Sequence, residues 1–415
     1  MPNVINNVKD VGSIIAKIAA GMLADKSQFI KTIDKEPPES FTGQYNGYNL
    51  GDTINISKPA RFTMGNTADI TSTIQDVVEE KVPLVLSNQR NVPIALTSAE
   101  IATDLSLKSW AKRILDPAMT TLSNGIESEC LVAAKNAVAN EVGTAGATVF
   151  DTDTLLAARE KMRKYLVPMD DSLYSLLDST AMRSAVNARK GLFNKTDEIG
   201  KQYKNGYMGM SDGFTFLENE LLPIHTNGTD VTGWAVESSV LPPATGATQL
   251  GIDGVTNGAT ITAGTVFTID NVYAVHPITK ATLPFLQQFV VTANTTGNVS
   301  TQATLSISPT IYSSASGSLQ NVSALPVDEA AITVIGTAST GYTQNLAFHK
   351  SAFRFVSVPL VMPDGTDMVA QETVDGITVR VIRDYTVLTD KLIMRLDVLY
   401  GFAAVRPEWA CRITA

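Results

Sequence analysis

The sequence predicts an α+β protein whose mixed helix–strand part is interrupted by an all-β segment. Three observations lead to this prediction. Apolar residues recur at helical spacing near the N-terminus and again over residues 105–142. Between these helices, residues 51–97 alternate apolar and polar side chains as strands do. Residues 226–345 are rich in Gly, Thr, Ser, Val and Ala, carry short alternating runs, and contain Lys280 as their only Lys or Arg.

The composition favours a structural protein over a nucleic-acid reader. The chain has 415 residues, enough for two or three domains. Charged residues make up 18%, which suggests that other subunits cover part of the surface, although a low-charge, strand-rich protein fits equally well. Because the net charge is −9 and no basic cluster is present, we expect only non-specific contact with DNA.

Neither cysteine chemistry nor a membrane span is indicated. Cys130 and Cys411 form no metal or disulfide spacing, and Cys130 falls on an apolar helix face where a buried thiol is expected. No apolar run reaches the roughly 20 residues that span a bilayer. The stretch IIAKIAAGMLA resembles part of a signal peptide, but Lys17 interrupts it and the helical pattern runs past it. We therefore expect synthesis in a reducing cytoplasm and no membrane partner.

The N-terminal part, residues 1–40, is predicted to form an amphipathic helix over residues 5–30 that ends before a Pro-Pro pair. Its apolar stripe includes Ile15, Ile18 and Met22. Such a helix either packs on its own domain or acts as an arm that reaches a neighbouring chain. The second alternative makes these three side chains candidates for assembly contacts.

An extended β-hairpin with further strands is predicted for residues 41–100. On its return arm, one face is predicted to carry Val92, Ile94 and Leu96. Its turn-rich polar tip contains Gly65, Asn66 and Asp69. Because an isolated two-stranded ribbon is only marginally stable, we expect this tip to lie on another subunit, and its residues are further assembly candidates.

The strongest helical signal lies within residues 101–150 and covers residues 105–142. Pro117 predicts a kink or break near Asp116, because proline disrupts a helix interior. Gly143 is predicted to end the helix. A helix of this length spans roughly 50 Å, which is long for a compact domain.

The remaining chain divides into three parts. Residues 151–225 predict a helix over residues 153–165, followed by a strand, a helix and a loop. Residues 226–342 predict an inserted β-barrel or sandwich, with a Ser/Thr-rich linker as the alternative. Residues 343–415 return to the mixed domain, as an insertion requires.

We find no catalytic motif. The three histidines, His225, His276 and His349, are isolated in sequence, and metalloprotease, nucleophile-elbow, P-loop and dinucleotide motifs are absent. We therefore expect no enzyme activity, catalytic residue, cofactor or metal. Four glycosylation sequons in the Ser/Thr-rich segment are expected by chance.

The order of these parts, together with local strings, resembles a known family. The strings are VPLVLSNQRNVPIALTSAE, RILDPAMTTLSNGIE, GMSDGFTFLENELLPIHTNG, NLAFHKSAFRFVSVPL and LYGFAAVRPEWA. They resemble the coat-protein family of Salmonella phage P22, which also has an inserted β-barrel. The order of parts resembles the Hong Kong 97 capsid fold, where the parts are called N-arm, E-loop, spine helix, P-domain and A-domain. The likeness covers essentially the whole chain and is lowest in the first 40 residues and inside the insertion.

This resemblance implies a major capsid protein located in the virion. Its copies would form the hexamers and pentamers of an icosahedral head of a tailed phage that encloses double-stranded DNA. A scaffolding protein would direct a procapsid, and packaging through a portal protein would expand it. The family resembles the branch of this fold without covalent cross-links, and it supplies no catalytic residue.

Two other classes fit parts of the sequence. A phage fibre or adhesin would explain the Thr- and Gly-rich β segment, but fibres usually repeat their units and no internal repeat is present. An enzyme with an all-β accessory domain would require a catalytic motif, which the sequence lacks.

Overall fold

The computed structural model describes residues 11–36, 51–62, 74, 77, 79–97, 111–147, 152–189, 209–387 and 391–414. The chain divides into two compact units, each discontinuous in sequence. Unit 1 comprises Met1–Ile56, Val82–Cys130 and Phe353–Ala403, and unit 2 comprises Ser57–Lys81, Leu131–Ala352 and Ala404–Ala415. Both units therefore depend on contacts between distant parts of the sequence.

The described residues contain fewer helices than strands. The α-helices are α1 (Val11–Lys26), α2 (Phe29–Thr32), α3 (Asp116–Ala137), α4 (Thr152–Lys164) and α5 (Ser179–Arg189). A π-helical turn, Ala111–Leu115, precedes α3, and single 3₁₀ segments cover Ser314–Leu319, Lys350–Ala352 and Pro407–Trp409. None of the helices in the described ranges combines the length and the apolar character that crossing a membrane requires.

Strands make up most of the fold. They are β1 (Asp34–Lys35), β2 (Thr53–Ser57), β3 (Lys81–Val85), β4 (Asn88–Thr97), β5 (Glu141–Gly143), β6 (Leu173–Leu177), β7 (Met210–Ser211), β8 (Phe214–Glu218), β9 (Ile224–Thr226), β10 (Ala235–Val236), β11 (Ala247–Asp253), β12 (Thr260–Ile261), β13 (Val266–Val275), β14 (Thr282–Val291), β15 (Thr295–Thr296), β16 (Ala303–Ile311), β17 (Ile332–Val334), β18 (Gly341–His349), β19 (Phe353–Val358), β20 (Met368–Val374), β21 (Ile377–Thr386), β22 (Lys391–Ala404) and β23 (Ala410–Thr414).

Unit 1 is built on a mixed sheet. Its strand order is β1-β19-β22-β21-β20, and β4 also pairs with β22. Helix α1 lies against β20 and β21, and the short helix α2 places Phe29 edge-on to Phe353, with 5.6 Å between ring centroids. The face of α1 that is turned to the core carries the buried residues Ile15, Ala16, Ala19, Ala20 and Leu23. Helix α1 confirms the predicted helix over residues 11–26, but a break at residues 27–28 separates it from α2. Residues 5–10 lie outside the described residues.

The predicted long hairpin is only partly present. Strands β2 and β3 pair in a two-stranded sheet, which confirms the base of the hairpin. Strand β4 instead runs antiparallel to β22, with Asn88 opposite Tyr400 and Thr97 opposite Lys391. The prediction that placed Val92, Ile94 and Leu96 on the return arm is therefore wrong. Alternation shows that a segment is a strand, but the partner is chosen by the sheet, where a long ladder satisfies the backbone of β4.

The long helix begins and ends differently from the prediction. Near Asp116, where a kink or break is predicted, the π-helical turn passes directly into α3, so the helix changes its hydrogen-bonding pattern without being interrupted. Helix α3 ends at Ala137, so the predicted end at Gly143 is wrong. Residues 141–143 form β5, which pairs parallel with β23 and places Val142 opposite Ile413. The pairing partner lies some 270 residues further along the chain, so local periodicity could not reveal it. Residues 105–110 lie outside the described residues.

Unit 2 contains a second mixed sheet with helices packed on it. Its strand order is β5-β23-β18-β6-β8-β7, and β9 also pairs with β18. Helix α4, close to the predicted residues 153–165, buries Leu155, Ala158 and Met162 at helical spacing. These side chains share a core with residues from α5 and the sheet, including Leu177, Ala181, Phe214, Phe216 and Ile413. Cys130 and Cys411 are both buried free thiols.

Residues 226–342, called the inserted segment below, consist mainly of strands and have their own core. Its sheet has the order β10-β11-β16-β14-β13-β17. The first and last strands also meet, because Val236 donates its backbone N–H to the Ala330 carbonyl at 3.0 Å and Ile332 donates to the Trp234 carbonyl at 2.9 Å. The core includes Trp234, Leu250, Phe267, Phe289, Leu305 and Ile332. The linker alternative is therefore wrong, because a linker would not bury such a core.

Candidate functional site: a polar junction below the inserted segment

The chain enters and leaves the inserted segment side by side. Strand β9 leads in and β18 leads out, and the two pair antiparallel with His225 opposite Tyr342. A set of buried and partly buried polar side chains lies where these strands, the end of α3 and the sheet of unit 2 meet. We call this set the junction; it consists of Lys135, Glu141, Lys161, His225, Asn227, Thr265, Gln288, Arg412 and Thr414.

Arg412 forms the centre of the junction. Only 1% of its surface is exposed, and it donates hydrogen bonds to the carbonyls of Gly264 at 2.7 Å and Lys135 at 3.1 Å. Its guanidinium also pairs with the buried Glu141 carboxylate at 2.5 Å. The other oxygen of Glu141 accepts a hydrogen bond from the Thr414 hydroxyl. A buried ion pair is tolerated when further hydrogen bonds satisfy most of its donors and acceptors; here the Arg412 Nε alone of the guanidinium nitrogens has no partner among the described residues.

A carboxamide ties the inserted segment to β5. The Gln288 side chain accepts the Glu141 backbone N–H at 2.8 Å and donates to the Glu141 carbonyl at 3.0 Å. Lys161 from α4 donates to the same carbonyl at 3.3 Å and to the Gln288 side-chain oxygen. Burial lowers the pKa of Lys161 to about 8. Gln288 therefore links β14 to the sheet, because its side chain bonds the N–H and the carbonyl of one residue as a neighbouring strand would.

His225 connects α3, through Asn227, to the chain on both sides of the inserted segment. Its Nδ1 lies 3.2 Å from Lys135 Nζ, and its Nε2 lies 3.1 Å from Asn227 Oδ1. Asn227 in turn donates from Nδ2 to the Ile335 carbonyl at 2.9 Å. Burial, followed by the charges of Arg412 and Lys135, lowers the pKa of His225 to about 3. The ring is therefore neutral at neutral pH.

The junction joins α3, the sheet of unit 2 and the inserted segment, and its side chains offer little for catalysis. Burial raises the pKa of the nearby Cys411 thiol to about 12, so it is protonated and unreactive. Elsewhere among the described residues, Glu237, Asp253 and Glu329 place carboxylate oxygens within 4.8 Å of one another. These carboxylates are at least partly exposed. Because exposed acidic groups are common without a bound ion, we assign no metal to them.

A smaller polar contact anchors the N-terminal helices within unit 1. The buried Glu127 carboxylate accepts the backbone N–H groups of Gln28 at 2.9 Å and Phe29 at 2.8 Å. The Ser27 and Ser123 hydroxyls lie 3.0 Å apart. These bonds satisfy the first donors of α2 and attach it to α3.

The six predicted assembly residues have different environments. Ile15 is 5% exposed and belongs to the core of unit 1, so its role is in the folded subunit. Ile18 is 36% exposed, Met22 is half-buried, and their spacing of four puts them on one side of α1. Gly65, Asn66 and Asp69 lie outside the described residues.

Sequence reasoning missed the junction. A signal was present, because Arg412 stands between buried strand residues in the C-terminal string ACRIT. A charge inside a buried strand usually has a partner of opposite charge. The partner, Glu141, lies 271 positions away, and nothing in the sequence connects the two.

Comparison with known proteins identifies the family. The family model described as "P22 coat protein – gene protein 5" matches residues 46–412, which is most of the chain. The chain belongs to the P22 coat protein family. It is a major capsid protein of the icosahedral phage shell, and its place is the virion. The capsid interpretation is thereby confirmed over the fibre and enzyme alternatives, since the family is a structural one.

Several solved structures are similar to this coat protein. One from Mycobacterium phage Che8 has a TM-score of 0.45 and 11% identity, and the match covers 93% of this chain and 90% of that chain. The capsid of Ralstonia phage GP4 has a TM-score of 0.49 and 6% identity, with 92% and 87% covered. Because these TM-scores are below 0.5, the assignment rests on the family match. No curated protein matches the chain.

Proposed function

We propose that this coat protein assembles as hexamers and pentamers of a procapsid that a scaffolding protein directs, and that the procapsid expands as DNA enters through a portal protein. Family membership is the observation that supports this function. The net charge of −9 and the lack of a basic cluster suit a wall that touches DNA only non-specifically. Synthesis in the host cytoplasm agrees with two buried free thiols.

We further propose that the parts correspond to those of the Hong Kong 97 fold. Residues 1–40 would be the N-arm, residues 41–100 the E-loop with P-domain strands, and residues 101–150 the spine helix. The A-domain would comprise residues 151–225 and part of 343–415. Support comes from the π-to-α change in the long helix and from the pairing of β4 with β22.

Residues 226–342 would then be the inserted barrel domain, which stabilises the subunit. The backbone bonds between residues 234–236 and 329–332 support a closed barrel, since they join the first and last strands of the sheet. The core of this segment is also distinct from the core below α4.

An isolated fragment of residues 228–342 is expected to fold. Its core is complete within the fragment, whereas the junction residues that it lacks only attach it to the rest of unit 2. The measurement is the amide dispersion in a nitrogen–proton NMR spectrum. As a control, Phe289→Ala removes a fully buried ring and should cost about 3–5 kcal/mol, enough to collapse the dispersion. A collapsed spectrum for the unmodified fragment would contradict independent folding.

The outer side of α1 is our proposed assembly contact. Ile18 is exposed, and Met22 is half-buried one turn further along the helix, while the opposite side is already used by the core. An apolar row on a helix with a charged flank suits a groove or a helix of another chain. The occupant would be a neighbouring coat subunit or the scaffolding protein.

Co-expression with the scaffolding protein tests both the shell and this contact. The unmodified chain should form closed shells visible by electron microscopy. Ile18→Asp should give folded subunits but at least about tenfold fewer shells, because a buried carboxylate at a contact is costly. A monomeric unmodified chain under all scaffold and salt conditions would exclude the shell function. Normal shells from Ile18→Asp would exclude only the contact.

Ile15→Asp is the matched control. The same change lies three residues away on the buried side of α1, so it should unfold the subunit instead of only preventing assembly. Circular dichroism separates the two outcomes before assembly is attempted.

A further inference from the structure

The hydrogen-bond direction at His225 is determined by its neighbours. Asn227 donates from Nδ2 to the Ile335 carbonyl, so its Oδ1 faces the histidine ring and can only accept. The ring must therefore carry its hydrogen on Nε2. This leaves the lone pair of Nδ1 to accept from the Lys135 ammonium. The bonds form a relay from Lys135 through His225 and Asn227 to Ile335.

A second proton on the ring has no acceptor in this relay. It would sit on Nδ1 and point at the Lys135 donor. The described groups that face the ring from the packed elements are Lys135 on α3, Arg412 on β23, Asn227 on β9's continuation and Thr265 before β13. Two of these are cations and two are neutral. The carboxylate of Glu141 is held by Arg412 and Thr414.

The relay also connects α3 to the chain that enters and the chain that leaves the inserted segment. Lys135 belongs to the end of α3, and Ile335 follows β17 on the way out. His225 lies within the entering strand β9, and Asn227 directly follows that strand. The core of the inserted segment lies apart from it. Breaking the relay therefore acts on the attachment and leaves the core of the segment in place.

We propose that His225 makes the junction an acid-sensitive clasp, in which protonation of the ring breaks the relay and loosens residues 226–342 from the rest of unit 2. The clasp is a property of the subunit and does not depend on how the shell is assembled.

The direction in which pH changes the stability of the closed junction follows from the difference between the folded and the ordinary pKa of His225. The folded pKa of His225, about 3, lies below its ordinary value of 6.5, chiefly because of burial. Such a group contributes stability that is fully present above pH 6.5 and is lost as the pH falls from 6.5 toward 3. If His225 titrates normally once the clasp is open, the opening constant should rise about 30-fold between about pH 7.5 and about pH 5.

Hydrogen exchange on the full chain tests this, with the unmodified protein and His225→Gln compared at the same pH. Glutamine can accept from Lys135 and donate to Asn227 without titrating. At about pH 5, the segments around residues 225–230, 262–266 and 335–340 should exchange about 30-fold faster in the unmodified protein than in the variant. At about pH 7.5 the two should agree, and the core around Trp234 should be equally protected throughout.

His276→Gln is the matched control. His276 lies in the loop between β13 and β14, where Nδ1 accepts the backbone N–H groups of Ile278 and Thr279, and its loss should leave the acid response of the junction unchanged. Two results would overturn the clasp. One is that acid speeds hydrogen exchange in His225→Gln as much as in the unmodified protein, and the other is that acid does not speed exchange in the unmodified protein. If His225→Gln does not fold, an NMR titration of the His225 ring in the unmodified protein replaces the comparison. Protonation of this ring near pH 6.5 without faster hydrogen exchange of the junction segments would also overturn the clasp.

Discussion

Replacing Arg412 with methionine is expected to lower the free energy of unfolding by about 3–5 kcal/mol. The substitution keeps the apolar stem but leaves Glu141 buried without its cation and frees the carbonyls of Gly264 and Lys135. A buried charge without a partner costs far more than the pair contributes. Urea denaturation of the full chain measures the effect.

Two comparisons make this prediction specific. Arg383→Met breaks an exposed pair with Asp367 at 2.7 Å and should cost less than about 1 kcal/mol. Adding Glu141→Gln to Arg412→Met should recover part of the loss, since the unpaired charge is removed. A loss below about 1 kcal/mol for Arg412→Met would show that the ion pair does not hold the junction.

Replacing Gly143 with alanine should destabilise the protein by about 2–4 kcal/mol. Gly143 has φ of 97°, and a Cβ there would lie 2.1 Å from the Thr414 carbonyl oxygen. The parallel pairing of β5 with β23 would have to separate to make room. Thermal or urea unfolding measures the loss.

Gly51→Ala is the matched control for this substitution. Gly51 has φ of 98°, but a Cβ at this position meets no described atom within 4 Å. It should therefore show only the backbone strain, about 1 kcal/mol. Equal losses for the two variants would mean that the contact with Thr414 is not the cause.

The polar character of the junction has a physical reason. Apolar packing is non-directional and gives a surface many ways to dock, whereas hydrogen bonds with defined donors and acceptors allow few. Arg412 and Gln288 bond to backbone atoms, and the Glu141 carboxylate holds the Arg412 guanidinium in place, so these residues restrict the orientation of the inserted segment. In a shell, a misplaced insertion would be repeated in every subunit.

Elements with a strong local pattern were predicted well. Helices α1 and α4 follow from apolar residues at helical spacing. The alternating runs of the insertion, residues 259–262, 266–269, 289–293, 304–307 and 331–335, overlap β12, β13, β14, β16 and β17. The change of helix type near Asp116 coincides with Pro117, whose ring excludes an ordinary helix interior. In each case, the information lies within a few residues of the element.

Elements that depend on distant partners were not predicted. Strand β4 alternates as a hairpin arm would, and only the presence of β22 decides its pairing. Helix α3 ends at Ala137, and only the presence of β23 decides that residues 141–143 form a strand. Ile15 and Ile18 look alike in the sequence, and only the sheet beneath α1 buries one and exposes the other.

The sequence alone thus determined the kind of those elements that have a strong local pattern, and the resemblance to a coat protein, since these depend on local periodicity and on ordered strings. Only the tertiary structure decided which strands pair, which side of α1 is covered, and that Lys135, Glu141, His225 and Arg412 meet. The reason is that a charge or a hydrogen-bond donor carries no record of its partner in its own sequence neighbourhood. Chain folding brings the two together, and burial then makes their contact strong.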